Sequence, residues 1–206
     1  FLLTLKNMDI TIANNTGINA LMVSVSNNNY ECANILTEYA TKACDESTKK
    51  KLINQHNVIK ENSILIASMN SNVELFNLLF SLGIELNTRN LSGYSPLYYA
   101  IENNNEEIFN LLVESDNIDI NMEDIEGITP LMHTSRKNNQ TFVHKLLNHP
   151  NIDINKRSNE GKNILSHVLH TKYNKSAHQD SDIGFAGIDF APYPQCFNNL
   201  SSRSIF

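Results

Sequence analysis

Apolar residues along this chain come in short bursts of one to three helical turns, separated by polar runs in which asparagine dominates. The grammar is clearest around Ser95-Pro-Leu-Tyr-Tyr-Ala-Ile-Glu102. Ser95 suits a helix N-cap, and Pro96 suits a first turn, where its missing N–H would have no partner anyway. Asn103-Asn-Asn105 then tolerates left-handed backbone, and Glu106 to Val113 restarts a helix with acids at its positive end. Such a pair is a helical hairpin, and the pattern recurs. Gly93/Leu97, Gly127/Leu131 and Gly161/Leu165 repeat at intervals of 34, and Asn-Ile-Asp-Ile-Asn stands at Asn117–Asn121 and again at Asn151–Asn155. Gly17/Leu21 opens an earlier unit, and Glu61/Leu65 is placed between them, with Glu61 in the glycine position. One hairpin cannot bury its apolar side alone, whereas stacked copies share a core. The expected core is Leu21, Ile35, Leu36; Leu65, Leu75, Leu78, Leu79; Leu97, Ile108, Leu111, Leu112; and Leu131, Phe142, Val143, Leu146. The fold class is therefore all-α, a helical repeat solenoid.

The units fall near 16–58, 59–90, 91–124 and 125–158, with a partial first repeat at 1–15 and a partial last one at 159–173. Extra sequence at 41–55 is expected to lengthen a second helix and its loop. From residue 174 the pattern stops, and 174–206, with Gly184, Gly187, Pro192, Pro194 and several aromatics, reads as an irregular tail, a linker or a cap. A chain that opens on Phe1 in mid-repeat is expected to be cut from a longer polypeptide.

Gly127-Ile-Thr-Pro-Leu131, Gly93-Tyr-Ser-Pro-Leu97 with Ala100, and Ile118-Asp-Ile-Asn121 resemble the signature of the ankyrin repeat, and the resemblance covers residues 1 to 173. It implies helix-turn-helix units joined by hairpin tips, and a binding role without catalysis. The histidine that the family places after the leucine is absent; Met22, Ile66, Tyr98, Met132 and Ser166 stand there. The family's Gly-His turn is replaced by asparagine-rich turns, a departure that bears on stability rather than on fold.

Composition narrows the function. A net charge of −6 does not suit a surface built to neutralise phosphate or anionic lipid, so neither nucleic acid nor membrane is expected as partner. Cys32, Cys44 and Cys196 are odd in number and widely spaced, which fits a reducing, intracellular and cytoplasmic home better than a disulfide framework. Cys32 aligns with Ile108 and Phe142 and is expected to be a small buried hydrophobe. Phosphate-loop, dinucleotide, nucleophile-elbow and zinc-protease motifs do not occur, so no catalytic, cofactor-binding or metal residues are assigned, and neither a cofactor nor a small-molecule substrate is expected. His167 and His170, like His144 and His149, lack ligands at metal spacing. Asp116, Asp119, Glu123, Asp124 and Glu126 form a solvated acidic stretch on a turn, and Lys49-Lys50-Lys51 a solvated helix face. The high share of asparagine reads as compositional bias of the coding sequence.

The resemblance implies a protein partner docked on the turn tips and on the inner face of the first helices. Mapped onto this chain, those positions are Leu91, Tyr94, Ile125, Glu126, Ile128 and Lys162 at the tips, and Glu102, Asn103, Arg136 and Lys137 on the inner face. Leu91, Tyr94, Ile125 and Ile128 are large apolar residues in places expected to face solvent. The chain would then be an interaction scaffold or, alternatively, the recognition arm of a larger signalling enzyme such as a kinase or ubiquitin-ligase subunit.

Overall fold

The computed structural model describes residues 9–166. His167, His170, Cys196, the start of the partial first repeat, the end of the last unit and the 174–206 tail lie outside the described residues. The chain divides into two compact units, 1–125 and 126–206.

In the first unit, α1 (Ala20–Ser26) and α2 (Tyr30–Ala43) form a hairpin, followed by α3 (Glu46–Asn54), then the hairpins α4 (Ser63–Met69) with α5 (Val73–Ser81) and α6 (Pro96–Glu102) with α7 (Glu106–Val113). The first helices pack in the order α1, α4, α6 and the second helices in the order α2, α5, α7, giving two layers with the core between them. The second unit holds the hairpin α8 (Pro130–Lys137) and α9 (Gln140–Leu147) and the start of a further helix at 164–166.

These helices are too short to be stable on propensity alone, so their ends decide the matter. Each is opened by a side chain that accepts the backbone N–H three residues on: Asn19, Asn29, Asp45, Asn62, Asn72, Ser95, Asn105, Thr129 and Asn139 in chain order. Within a hairpin the reversal is made by three residues with separate tasks. In Asn103-Asn104-Asn105 the first ends α6, the second is left-handed at φ 53°, and the third caps α7. Asn27-Asn28-Asn29 and Asn70-Ser71-Asn72 are built the same way. The amides also reach the preceding hairpin: Asn103 Nδ2 donates to the Met69 carbonyl at 3.1 Å and Asn105 Nδ2 to the Ser71 carbonyl at 3.3 Å. The abundance of asparagine, 32 of 206 residues, thus has a structural use beyond coding bias.

Several sequence expectations change. The left-handed tip position of the second hairpin belongs to Lys60 at φ 64°, not to Glu61, because Asn62 is the N-cap and the left-handed residue stands two before it in every unit. Ile64 rather than Leu65 therefore matches Leu97, although both are buried. The 41–55 segment does lengthen a second helix, since α2 has 14 residues against 9 in α5, but its remainder folds as α3 rather than as loop. Leu52 and Ile53 bury α3 against the array, and Asn19 Nδ2 donates to the Leu52 carbonyl at 2.9 Å. Cys32 is exposed and Ile35 is 54% exposed, whereas Leu75 and Ile108, the counterparts of Cys32, are fully buried. The register is right, but no helix precedes α1 among the described residues to cover that side of the hairpin. Leu36, Leu78, Leu111 and Val143 are half-buried.

Glycine is needed where one tip closes on the next. At Gly93 φ is 79°, and an added Cβ would lie 2.6 Å from the Ile125 backbone nitrogen. Gly83 has a similar φ but nothing within 4 Å. Gly93→Ala is expected to lower stability by about 2–3 kcal/mol and Gly83→Ala by about 1 kcal/mol. Urea midpoints check the pair, and equal losses would refute the close approach. Lys60→Gly relieves a strained side chain and is expected to gain about 0.5–1 kcal/mol. Asn105→Ala removes both a cap and a bridge and should cost about 1–2 kcal/mol in the same assay.

Candidate partner-binding surface

The first three tips are each tied by an asparagine near the start. Asn90 Oδ1 accepts from the backbone of Ser92 at 3.0 Å and of Tyr94 at 3.1 Å, while Gly93 N–H donates to the Asn90 carbonyl at 2.9 Å. Asn14 and Asn57 make the same side-chain turns. Neighbouring tips of the first unit are joined by backbone bonds: Val58 N–H to the Thr16 carbonyl at 2.9 Å, Leu91 to Ile59 at 3.1 Å and Ile125 to Ser92 at 3.3 Å. This ladder fixes the residue two before each left-handed position with its side chain outward. Val58 is 65% exposed, Leu91 58% and Ile125 65%. Three consecutive tips therefore present a large aliphatic residue at one repeat position, with Ile59 exposed beside Val58.

Leu91 and Ile125 were legible from sequence; Val58 and Ile59 were not, because the second tip has no glycine to mark it. The readable signal was Asn57, spaced from Lys60 as Asn90 is from Gly93.

On the inner side of the third hairpin, Tyr94 stacks on Tyr98 with ring centroids 3.9 Å apart and planes 7° apart, and Tyr99 stands edge-on to Tyr98 at 5.4 Å. All three are half-buried. Asn90 Nδ2 donates to the Tyr99 hydroxyl at 3.1 Å. Burial raises the Tyr98 phenol well above its ordinary pKa, helped by the Tyr94 hydroxyl and the nearby Glu102 carboxylate. Tyr99 is raised too, chiefly by burial, against the lowering effect of the Asn90 bond. Glu102 is half-buried at the end of α6. Asn103 is exposed, but its amide serves the Ser68 and Met69 carbonyls, so its first task is to join two hairpins.

In the second unit, Glu126 is exposed, and its carbonyl accepts from Asn159 N–H at 2.9 Å. Arg136 and Lys137 are exposed in the last turn of α8, where cations oppose the helix dipole. Lys162 is half-buried and pairs with Glu160 at 2.6 Å. Ile128 does not face solvent. It is 7% exposed, because it follows the left-handed Gly127 directly and the turn sends its side chain back toward the start of α8.

Other singled-out residues serve the frame. His149 Nδ1 accepts from Asn151 N–H, Asp119 Oδ1 accepts from Asn121 N–H, and Lys50 and Lys51 lie exposed on α3. Among the described residues no group of three or more His, Cys, Asp or Glu is placed to hold a metal ion, and no helix is long and apolar enough to cross a membrane.

Because the folded protein holds the Tyr98 and Tyr99 protons more tightly than the unfolded chain does, their contribution to stability is intact below about pH 10 and falls as pH rises above it. An alkaline titration followed at 295 nm is expected to show a late-ionising fraction that Tyr98→Leu diminishes. A late-ionising fraction of undiminished size in that variant would refute the raised pKa of Tyr98.

Comparison with known proteins agrees with this geometry. A family model described as ankyrin repeats, in three copies, matches residues 38–124. A putative ankyrin repeat protein of Borreliella burgdorferi is 43% identical over 56 residues, which is 27% of this chain and 26% of that protein's length. The crystal structure of EF0377, an ankyrin repeat protein, superposes with a TM-score of 0.69 at 22% identity, over 86% of this chain and 88% of that one. Ankyrin repeats are in general protein–protein interaction modules, and typically not catalytic ones. The stacked hairpins and backbone-bonded tips thus have the ankyrin-repeat fold, and residues 38–124 match a model of three ankyrin repeats.

Proposed function

We propose that this chain is an interaction module that holds another protein on its turn tips and the adjoining inner-helix face, and catalyses nothing itself. The observation that carries the reading is the tip row Val58, Leu91 and Ile125, three aliphatic side chains exposed at one repeat position. The stack gains nothing from such exposure, since the tips are already joined through their backbone. Contiguous exposed apolar surface with a polar rim marks interaction sites, and large residues near its centre carry most of the affinity. Within the same reading, the repeat array runs from 1 to 173 with 174–206 as a tail, and the protein works in the cytoplasm. Glu126, Arg136, Lys137 and Lys162 are the partner-binding residues proposed on the second unit, taken by itself.

The test is affinity capture from an extract of the cell that expresses the protein, comparing wild type with Leu91→Asp/Ile125→Asp. Ile128 is left intact because it belongs to the core. A captured protein should bind the variant at least about 30-fold more weakly, the loss expected for two central apolar contacts. Capture that is undiminished in a variant with wild-type melting behaviour would refute the tip surface.

A further inference from the structure

The identity of that partner has a chemical signature on this surface. The first unit, residues 1–125, contains 7 Lys and Arg against 16 Asp and Glu, whereas residues 126–206 contain 9 against 6. The imbalance is steepest at the third hairpin, where Asn90 to Ile125 contains eight Asp and Glu and neither Lys nor Arg. Charge alone specifies little, because some of these acids merely stabilise a helix start, as Glu106 and Glu107 do for α7.

Tyr98 adds the specific element. It is the third residue after its N-cap, a place taken in the other complete first helices by Met22, Leu65 and Met132, each no more than 1% exposed, and by the exposed Ser166 in the helix that starts at 164. Packing there calls for a buried aliphatic side chain. Tyr98 is instead half-buried and stacked flat on Tyr94, with Tyr99 buttressing both rings. Glu102 stands one helical turn after Tyr98 on α6, and its carboxylate adds to the rise of the Tyr98 phenol as that of Glu61 does for Tyr99, both after burial. An aromatic platform flanked by carboxylates, with Leu91 and Ile125 exposed at the neighbouring tips, matches one side-chain chemistry best. A planar guanidinium stacks on an aromatic ring and pairs in parallel with a carboxylate, whereas a compact ammonium does the second but is poorer at the first.

We propose that the third hairpin, through Leu91, Tyr94, Tyr98, Glu102 and Ile125, takes a basic, arginine-bearing segment of the partner protein. The arginine lies on the Tyr94–Tyr98 platform against Glu102, and apolar neighbours in the segment cover Leu91 and Ile125. This inference rests on the interaction reading above and gives it a chemistry.

The experiment pans a library of random 12-residue displayed peptides on the whole chain and counter-selects on Tyr98→Leu and Glu102→Gln. Leucine is the residue that the second hairpin places at the equivalent position, so Tyr98→Leu should keep the wild-type melting temperature. Glu102→Gln is a second, near-isosteric check that does not touch the rings. Enriched peptides are expected to gain arginine and lose acids relative to the library. They should bind Tyr98→Leu about 10-fold more weakly, with a smaller loss and a weaker salt dependence for Glu102→Gln, and replacing their arginine by lysine should cost about 3-fold or more. Apolar peptides without basic bias that still depend on Leu91 and Ile125 would overturn the arginine inference and leave the interaction reading standing. Peptides indifferent to Leu91 and Ile125 would overturn both. Self-association in sedimentation velocity that Tyr98→Leu abolishes would also overturn it, by assigning the surface to a second copy.

Discussion

A helix of seven to nine residues leaves about half of its backbone donors and acceptors without an internal partner, and this architecture is made almost wholly of such helices. The rest of the structure depends on satisfying those ends. Short polar side chains at fixed places do so, above all asparagine. Asparagine combines two properties that serine and threonine do not. It adopts left-handed backbone more readily than other residues with a side chain, and its amide donates while its carbonyl oxygen accepts. Asn105 caps its own helix through Oδ1 and bonds the preceding hairpin through Nδ2, so local folding and stacking are served by one residue. Loss of such a side chain therefore weakens the hairpin and its attachment together, and the stack becomes cooperative despite its short-range contacts.

The tips solve the same problem differently. An asparagine ties each of the first three tips internally, and backbone bonds between tips hold each one against its neighbour within the first unit. With the backbone fully engaged, the outward side chains are released from structural duty. Chemistry at residues 58, 91 and 125 can vary without cost to the fold, which is the condition for a scaffold to acquire a partner. The inner side has less freedom, since Tyr94 and Tyr98 both pack and face outward. A surface there inherits rigidity from the core.

Much of this was legible in the sequence. Glycine marks left-handed tips because only glycine lets the next backbone approach as closely as it does at Gly93, and the recurrence of Asn-Ile-Asp-Ile-Asn follows from a turn in which Asp119 and Asp153 each accept from the residue two on. Other features were hidden for identifiable reasons. Lys60 occupies a left-handed position without the usual residue, which shifted the register by one and concealed Val58 and Ile59. Cys32 is exposed although it stands in register with the buried Leu75 and Ile108, because burial there depends on what stacks beside the helix, which periodicity does not encode. The α3 helix begins with Asp45 as cap and Glu46 in its first turn, a readable start, but its two buried residues, Leu52 and Ile53, are too few to announce an amphipathic period. Ile128 and Ile125 look equivalent in composition, and only the left-handed turn between them sends one inward and leaves the other exposed.

That last contrast bears on how function enters a fold of this kind. Hydrophobicity at a tip carries no meaning until the turn geometry states which side of it a residue occupies. Ile125 precedes Gly127 by two and remains 65% exposed; Ile128 follows it by one and is 7% exposed. Exposing a residue of that size forgoes on the order of 1.5–3 kcal/mol of burial, so three such residues in register represent stability the fold does not collect. A partner that covers them would recover it as binding free energy. The repeat supplies the geometry by satisfying its own backbone first, and the energy left uncollected at Val58, Leu91 and Ile125 is what the proposed interaction would draw on.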